Sequence, residues 1–499
     1  MSKFQAIAEA MKQGNVTGIV ATDNVKVYPH SFEQSGDVQL LMIKSDNTKY
    51  ILATGEGPLF DELQGDNNGG VKVCPLVTAN RLVLNKYFDY TVPRAFGTQV
   101  ATIGLGDRLG IASSGHIKTV AGKNIHPILA QQSIREITLT KRDYNDVLNG
   151  AVFAVFQEGY KDGFGADGDH LKVEADIKMS LDLGFTMITL DCSENIDNSV
   201  ENISAAEREA KYNLLPEATR NHYESRYLNQ TFEVAGNSIT FSKENLVEIV
   251  LVYGAAIDFM EHIFVTYIKN LGRDVDFEIS IDETPSPTAP EAHFLIAKEL
   301  YSRGVTVYSM APRFIGEFQK GIDYIGDIAQ FEKEMVIHAG LADDFGYKLS
   351  IHSGSDKFSV FPIIGKYTKG RFHVKTAGTN WLEAVRTVAK VKPDLYRRMH
   401  QYALEHFNEA AAYYHVTTDL SKIAPLDQVK DADLSSAYMD EDNARQLIHI
   451  TYGILLQAKD AQGNSLFADE FFRTLSEEEE AYEQSLISHI GKHIQLLGK

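Results

Sequence analysis

The chain has 499 residues, of which 44% are hydrophobic and 23% charged, and these proportions exclude a disordered or low-complexity scaffold. Its 48 Lys and Arg against 68 Asp and Glu give a formal net charge of −20. Such a surface repels nucleic-acid phosphates and anionic lipid, so we expect no nucleic-acid and no membrane partner. Two cysteines, Cys74 and Cys192, are too few for a disulfide framework. Residues 1–14 lack a signal-peptide core and are typical of an amphipathic helix, so we expect a cytoplasmic protein.

The first 95 residues contain short runs of alternating polar and apolar residues, separated by turn signals. The runs are 16–24, 38–45, 49–57 and 81–92. This pattern predicts a small β-rich domain over 1–95 that caps a larger one.

From about Thr102 the pattern changes to eight short apolar or β-branched runs that alternate with helical segments. The runs are 102–110, 126–133, 163–167, 185–191, 277–283, 305–310, 348–353 and 372–378. Among the segments between them, 143–160, 172–183 and 292–301 carry helical features, such as an apolar stripe over 143–160. Eight alternations favour an α/β fold of the (β/α)8, TIM-like barrel type over 96–385, rather than an open doubly wound sheet. A dinucleotide fold lacks support, because Leu109 stands where the third glycine of a Gly-x-Gly-x-x-Gly motif would be.

Two further regions surround the predicted barrel. An insertion after the fourth strand, 195–271, holds a charged helical stretch, a hairpin around 235–237 and an apolar helix. That helix contains Glu248, Asp258 and Glu261, so we interpret it as a buried helix and not as a membrane span. Residues 386–499 are predicted to form a helical C-terminal region.

The active site of a barrel enzyme lies at the carboxyl ends of its strands. Successive side chains of a strand face opposite sides, so Glu278, Ser280 and Asp282 on the fifth strand point inward. The uppermost inward residues are Asp282, His352 and Lys375, and Asp191, after the fourth strand, joins them. We expect catalytic roles for Asp282, Asp191 and Lys375. Lys375 suits either a Schiff base or the binding of an anionic group.

The third strand end is the richest in such groups, with two carboxylates, an imidazole and a lysine within six residues at a strand-to-helix turn: Asp167, Asp169, His170 and Lys172. This composition suits a divalent metal ion or an anionic substrate. We also expect a catalytic role for Asp169. The predicted metal ligands are His170, His352 and Glu283, from different strands, and the ion is zinc, manganese, nickel or cobalt. The alternative is that His170 stabilises a turn and Asp169 begins a helix.

Other polar residues near strand ends are predicted to bind substrate. Asp107 and Arg108 would hold hydroxyl groups or a carboxylate, or would form a salt-bridged loop. Gln132 would donate hydrogen bonds to sugar hydroxyls, or would pack as a buried amide. Lys172 is a further cation, and Ser353 with Lys357 resembles an anion site built from backbone N–H groups and an ammonium group. We favour Lys357 for a substrate carboxylate.

Several runs resemble the tagaturonate epimerase family over nearly the whole chain. They are 104–110, 131–136, 165–172, 281–284 and 352–357. The resemblance implies a metal-dependent interconversion of D-tagaturonate and D-fructuronate in hexuronate catabolism, with weak activity on fructose and tagatose in some relatives. The partner would be a small-molecule sugar acid, and the oligomeric state, including a homo-oligomer, stays open.

The chemistry of this interconversion can be examined separately. The two ketoses differ at the carbon β to the ketone, so simple enolisation cannot invert it. Retro-aldol cleavage and re-addition, assisted by a metal, fits the predicted residues better than transient oxidation by a nicotinamide. The alternatives are a divalent-metal sugar aldolase or ketol isomerase on the same barrel, and a sugar-acid-binding protein. Redundant carboxylates argue against a binding protein, because each would repel an anion.

Overall fold

The structure, a computed structural model, describes residues 4–17, 25–234 and 236–499. Its N-terminal part has helix α1 (Gln5–Lys12) and a five-stranded antiparallel sheet of order β1-β2-β3-β5-β4. The strands are β1 (Val25–Ser35), β2 (Val38–Ser45), β3 (Thr48–Thr54), β4 (Asp66–Asn68) and β5 (Val71–Pro75). The predicted β-rich N-terminal region is therefore confirmed.

Two of the predicted runs in this region have other outcomes. Residues 18–24, most of the run 16–24, lie outside the described residues. The run 81–92 is not a strand. Helix α2 (Pro58–Glu62) lies between β3 and β4, and α3 (Thr78–Tyr87), which follows β5, contains the first part of this run. On α3, Arg81 and Leu84 are buried while Leu82 is exposed, so the spacing is helical and the apparent alternation was misleading.

Eight parallel strands close the predicted barrel, in the order β12-β13-β14-β15-β6-β7-β8-β9, and β10 with β11 forms a separate hairpin. The strands are β6 (Thr102–Leu105), β7 (His126–Ser133), β8 (Gly165–Leu171), β9 (Met187–Asp191), β10 (Thr231–Val234), β11 (Asn237–Thr240), β12 (Asp276–Ile281), β13 (Ser309–Pro312), β14 (Lys348–Ile351) and β15 (Phe372–Thr376). All eight predicted runs contain a barrel strand or overlap one. The (β/α)8 prediction is confirmed.

The remaining α-helices connect these strands and form the C-terminal region. They are α4 (Ser113–Val120), α5 (Ile134–Thr140), α6 (Tyr144–Glu158), α7 (Glu174–Asp182), α8 (Ala205–Asn213), α9 (Glu217–Tyr227), α10 (Lys243–Ile263), α11 (Pro290–Ser302), α12 (Ile328–Phe345), α13 (Phe361–Tyr367), α14 (Thr379–Val391), α15 (Pro393–Glu405), α16 (Phe407–Ala411), α17 (Leu434–Met439), α18 (Asp442–Ile450), α19 (Tyr452–Gln457), α20 (Ala468–Glu477) and α21 (Glu479–Leu496). The helical C-terminal region is confirmed. Short 3-10 turns occur between several of these helices.

The third barrel strand differs from its prediction. The run was expected to end at 167 and to be followed by a turn, but β8 continues to Leu171. Its register against β9 shifts between Gly168 and Leu171, and His170 has a positive φ of 53°. This irregularity is a β-bulge, which re-aims side chains on the bulged strand. It lets the adjacent residues Asp169 and His170 both join the cluster of polar groups described below.

The region between β9 and β12 contains α8, α9, the β10–β11 hairpin and α10. Ala235, in the predicted hairpin turn, lies outside the described residues. Among the described residues, one helix, 243–268, is long and apolar enough to cross a membrane, and half of its most apolar window is buried within the structure. Its buried face includes Leu246, Val250 and Ile257, which is also the pattern of a core helix in a soluble protein.

The chain forms two compact units. The first comprises 1–93, 105–164 and 377–492, and the second comprises 94–104, 165–376 and 493–499. In the first unit, buried Trp381 on α14 donates a 2.8 Å hydrogen bond to the carbonyl of Ile448 on α18. The domain boundaries predicted at 95 and 385 and the insertion bounds 195–271 stay predictions.

Candidate active site

Lys375 on β15 is the centre of a buried charge cluster in the second unit. Its Nζ lies 3.0 Å from Asp167, 2.6 Å from Asp169 and 3.0 Å from Glu278. Burial alone would lower the pKa of Lys375, but these three carboxylates outweigh it and raise the pKa well above 10.5. A Schiff base requires a neutral amine, so this geometry favours the other predicted role, in which the ammonium group stabilises negative charge.

The two aspartates of β8 respond differently to this lysine. Burial raises the pKa of Asp167. Burial acts on Asp169 in the same direction, but Lys375 and the nearby histidines prevail and lower the pKa of Asp169. Asp169 is therefore ionised at neutral pH.

His352, directly after β14, lies between two carboxylates. Its Nε2 is 2.7 Å from Glu278 Oε1, and its Nδ1 is 3.2 Å from Asp282 Oδ1, although the second pair is poorly aligned for a hydrogen bond. Burial opposes protonation, but Asp282 and Glu278 raise the pKa of His352 to about 10. In return, the pKa of Asp282 is lowered against the effect of burial. The inward orientation predicted for both residues agrees with these contacts.

His170 lies beside His352, with the ring centroids 4.8 Å apart and the rings at 67°. Its Nδ1 is 3.3 Å from Asp191 Oδ2. Burial would lower the pKa of His170, yet Asp169 and Asp191 raise it. The two imidazoles and three aspartates thus form one polar cluster at the carboxyl ends of the strands, where barrel enzymes carry their active sites.

The fit of a metal ion can be tested on these residues. One ligating atom each of His170, Asp191 and Glu283 lies within 4.8 Å of the others. Bonds of about 2.0–2.2 Å to one ion place ligand atoms at most about 4.4 Å apart, so small side-chain adjustments suffice. His352 Nδ1 is a buried nitrogen facing the same cluster. Of the predicted ligands, His170 and Glu283 therefore lie close enough to share an ion, together with Asp191, which was predicted to be catalytic. The third predicted ligand, His352, lies beside His170 but is not part of this group of three.

Lys172 is the predicted substrate-binding cation at the edge of this cluster. Its Nζ donates a 2.8 Å hydrogen bond to Ser193 Oγ and lies 3.6 Å from Asp191 and 3.8 Å from Glu283. About a third of its side chain, 35%, is exposed. The ammonium group can therefore reach a ligand from solvent while it stays near the predicted metal ligands.

Lys357 is placed differently from our expectation. It is fully buried, and its Nζ donates to the carbonyl oxygens of Gln319, Ile322 and Ser355 at 2.8, 2.6 and 2.8 Å. These bonds use all three ammonium protons. The assignment of a substrate carboxylate to Lys357 is therefore corrected: this lysine ties the loop after β13 to the loop after β14.

Ser353, predicted to bind substrate, follows His352 and has a positive φ of 48°. Its Oγ accepts a 2.9 Å hydrogen bond from Lys320 Nζ. Lys320 was not anticipated, because its position in the loop after β13 carries no periodic or motif signal.

The other three predicted substrate-binding residues belong to the first unit. The Asp107 carboxylate accepts hydrogen bonds from the N–H groups of Leu109, Gly110 and Ala112 at 2.7–3.0 Å. It therefore has the structural role that the sequence left open, because it stabilises its own loop.

Arg108 and Gln132 are also engaged within that unit. The buried Arg108 guanidinium donates twice to Glu136 Oε1, at 2.8 and 2.5 Å, which is the salt-bridged alternative. Gln132 is buried and its side chain donates to the carbonyl of Gln131 at 2.7 Å, as the packed-amide alternative expects. These contacts do not favour the predicted substrate roles of Asp107, Arg108 and Gln132.

Sequence reasoning assigned no catalytic, substrate-binding or metal role to three members of the cluster: Asp167, Thr189 and Glu278. Thr189 Oγ1 lies 3.0 Å from both oxygens of Asp167 and 3.2 Å from Glu278 Oε1, so its single proton has either carboxylate within hydrogen-bond distance. The signal was available, because strand alternation already predicts that Glu278 points inward. Glu278 lies one layer below the strand end, whereas the active-site residues of a barrel are expected at the strand end itself.

Comparison with known proteins places this chain among the carbohydrate epimerases, a class of isomerases. A family model described as tagaturonate epimerase matches residues 28–497. A tagaturonate/fructuronate epimerase of Thermotoga maritima is 41% identical over 479 residues, which are 95% of this chain and 97% of that protein. The chain belongs to the tagaturonate epimerase family, as the sequence resemblance implied.

Solved structures agree with this membership. Two crystal structures of a fructuronate-tagaturonate epimerase from Cohnella laeviribosi, one native and one with a bound glycerol, are each 62% identical to this chain. Both match it with a TM-score of 0.95 and cover 100% of either chain. The likeness therefore includes the N-terminal sheet and the C-terminal helices as well as the barrel.

Proposed function

We propose that this chain interconverts D-tagaturonate and D-fructuronate, with a divalent metal ion and by retro-aldol chemistry. Relatives named for this interconversion support the substrate. The observation that carries the metal part is the approach of His170, Asp191 and Glu283 to one another beside His352. Imidazole and carboxylate donors suit zinc, manganese, nickel or cobalt.

The stereochemistry of the reaction determines what the site must do. A base takes the proton of the hydroxyl group on the carbon β to the ketone. That C–O bond becomes a carbonyl, the bond to the α carbon breaks, and its electron pair moves to the ketone, which becomes an enediolate. The aldehyde fragment rotates and presents its other face. Re-addition then forms the bond with inverted configuration, and the proton returns to the oxygen.

The cluster contains a group for each requirement. A metal held by His170, His352 and Glu283 would supply the Lewis acid that stabilises the enediolate charge. Asp169 and Asp282, both ionised at neutral pH, accept and return the hydroxyl proton. Lys375 keeps Asp169 ionised, and Asp191 orients His170 through their 3.3 Å contact.

The substrate's carboxylate also needs a cation, because the net charge of −20 repels anions. We transfer this role from Lys357 to Lys172. Lys172 is partly exposed and lies beside the predicted metal ligands, whereas the Lys357 ammonium is fully used by three carbonyl groups. We further propose that the enzyme works in the cytoplasm on the free sugar acid, in keeping with two buried, unpaired cysteines.

Product analysis tests this function. Purified protein is incubated with tagaturonate, with and without a chelator, and the products are separated by chromatography. We expect fructuronate as the product, and its loss with the chelator. Release of three-carbon fragments would indicate an aldolase, and a product with a shifted carbonyl group would indicate a ketol isomerase. Substrate that stays unchanged would indicate a binding protein. Each of these results would contradict the proposal.

A further inference from the structure

Glu278 is a fully buried carboxylate on β12 that lies between the two cations of the cluster. Its Oε1 is 2.7 Å from His352 Nε2 and 3.0 Å from Lys375 Nζ. Two hydroxyl groups also contact it: Thr189 Oγ1 lies 3.2 Å from Oε1, and Ser309 Oγ donates to Oε2. Neighbours on or next to four other strands therefore fix the orientation of this carboxylate.

This geometry distinguishes the two nitrogens of His352. The Nε2 atom faces Glu278 at hydrogen-bond distance, so it can donate its proton there. The Nδ1 atom faces Asp282, and the ring lies against His170. If His352 and His170 share a metal ion, Nδ1 is the nitrogen on the correct side, since Nε2 is occupied by Glu278.

We propose that Glu278 is a positioning residue, which holds the Nε2–H of His352 so that Nδ1 is presented to the metal and which keeps Lys375 beside Asp167 and Asp169. The inference rests on the metal-dependent function proposed above. When a histidine binds a metal through one ring nitrogen, a carboxylate that accepts the N–H of the other nitrogen fixes the tautomer and orientation of the ring. Loss of that carboxylate typically weakens metal binding by about 10- to 100-fold.

Asp167 provides a matched control. It is buried in the same layer, lies 3.0 Å from Lys375 Nζ, and accepts hydrogen bonds from Thr189. It pairs with Lys375 and Thr189 rather than with His352. The substitutions Glu278→Gln and Asp167→Asn therefore both remove one buried negative charge beside Lys375, but only the first changes the group that faces His352.

The test measures Mn²⁺ binding by electron paramagnetic resonance on the metal-stripped full chain, together with ¹⁵N NMR of labelled histidines in the Zn²⁺-loaded protein. We expect Glu278→Gln to weaken Mn²⁺ binding by about 10- to 100-fold, and Asp167→Asn to leave it unchanged. In the wild type and in Asp167→Asn, the His352 resonance, assigned by its loss in His352→Gln, should carry its proton on Nε2. In Glu278→Gln that proton should exchange faster with water.

Other outcomes separate this inference from the proposed function. Equal Mn²⁺ affinity and equal Nε2 exchange in wild type and Glu278→Gln would overturn the positioning role while leaving the metal site intact. If the wild type binds no Mn²⁺, the metal-dependent function fails, and Nε2 exchange in the metal-free chain alone decides the role of Glu278. If Glu278→Gln fails to fold, Ser309→Ala takes its place, because it removes the hydrogen bond to Glu278 Oε2. Mn²⁺ affinity and Nε2 proton exchange equal to those of the wild type in Ser309→Ala would then contradict the inference.

Discussion

At the scale of single residues, the candidate active site contains buried charged groups that each lie next to groups of opposite charge. Lys375 contacts three carboxylates, and His352 contacts two. A buried ion that loses its partner destabilises a protein by about 3–5 kcal/mol. Substitutions inside the cluster can therefore affect folding as well as activity, so each such variant needs its own check on folding.

The predicted metal ligands give the first testable expectation. Alanine at His170 or at His352 should leave a folded protein that has lost both bound metal and epimerase activity. Removal of one of about three protein ligands leaves too few bonds for tight binding. Elemental analysis of the purified variants, with circular dichroism as the check on folding, measures this. Full metal occupancy in both variants would rule out these residues as ligands.

The partner of the substrate carboxylate gives the second expectation. A charge-assisted hydrogen bond is worth about 1.5–3 kcal/mol, so Lys172→Met should reduce tagaturonate turnover roughly ten- to a hundredfold. Any activity on a neutral ketohexose should hardly change. Lys357→Met is the comparison variant, because it leaves three buried carbonyl groups unpaired and should lower thermal stability instead. Equal losses on charged and neutral substrates in Lys172→Met would refute the assignment.

Strand alternation predicted the inward positions of Asp282, His352 and Lys375, because these residues lie on regular strands or directly after them. It could not predict the partners of Lys357, since Gln319 and Ile322 lie in a loop whose path has no periodic signal. It likewise could not distinguish a substrate-binding Arg108 from one paired with Glu136, because a sequence does not show which charge lies opposite.

At the scale of elements, β8 shows where the sequence pattern reaches its limit. Alternation assumes a regular strand, and a bulge adds one residue to one side of a pair. The irregularity between Gly168 and Leu171 therefore shifted the predicted end of this strand. It is also what brings Asp169 and His170, although adjacent in sequence, into the same cluster.

The start of α21 gives a third expectation, on stability. Glu479, its first residue, contacts Lys26, Lys44 and Lys49 of the N-terminal sheet at 2.6–3.1 Å. Burial opposes ionisation, but the lysines prevail and lower the pKa of Glu479 below its usual 4.5. The folded state then binds the proton less readily than the unfolded state, so this stabilisation is present above about pH 4.5 and declines as the pH falls.

Urea unfolding of Glu479→Gln measures that contribution. We expect a loss of about 1–2 kcal/mol in the free energy of unfolding at pH 7, and a smaller difference from wild type at pH 3.5. Glu480→Gln is the control, because the Glu480 side chain is 85% exposed although it lies 3.2 Å from Lys26, and exposed pairs contribute little. A deficit in Glu479→Gln that is the same at both pH values would contradict the ion-pair explanation.

At the scale of the whole molecule, the barrel was predictable because eight strand-and-helix alternations allow few topologies. Which segments form each compact unit could not be predicted. Residues 1–93, 105–164 and 377–492 form one unit, and this grouping depends on contacts between segments that are distant in sequence. The charge balance also acts at this scale. A net charge of −20 makes the few cations near the active site decisive for an anionic substrate.

The central claim is that inversion proceeds by breaking a carbon–carbon bond, and proton NMR of the reaction in deuterated water tests it most directly. Retro-aldol chemistry leaves the hydrogen on the inverted carbon in place, because the C–C bond breaks there and the C–H bond does not. Tagaturonate incubated with the metal-loaded enzyme should therefore yield fructuronate that carries no solvent deuterium at that carbon. Extensive deuterium at the inverted carbon would instead show direct proton abstraction and would contradict the retro-aldol route.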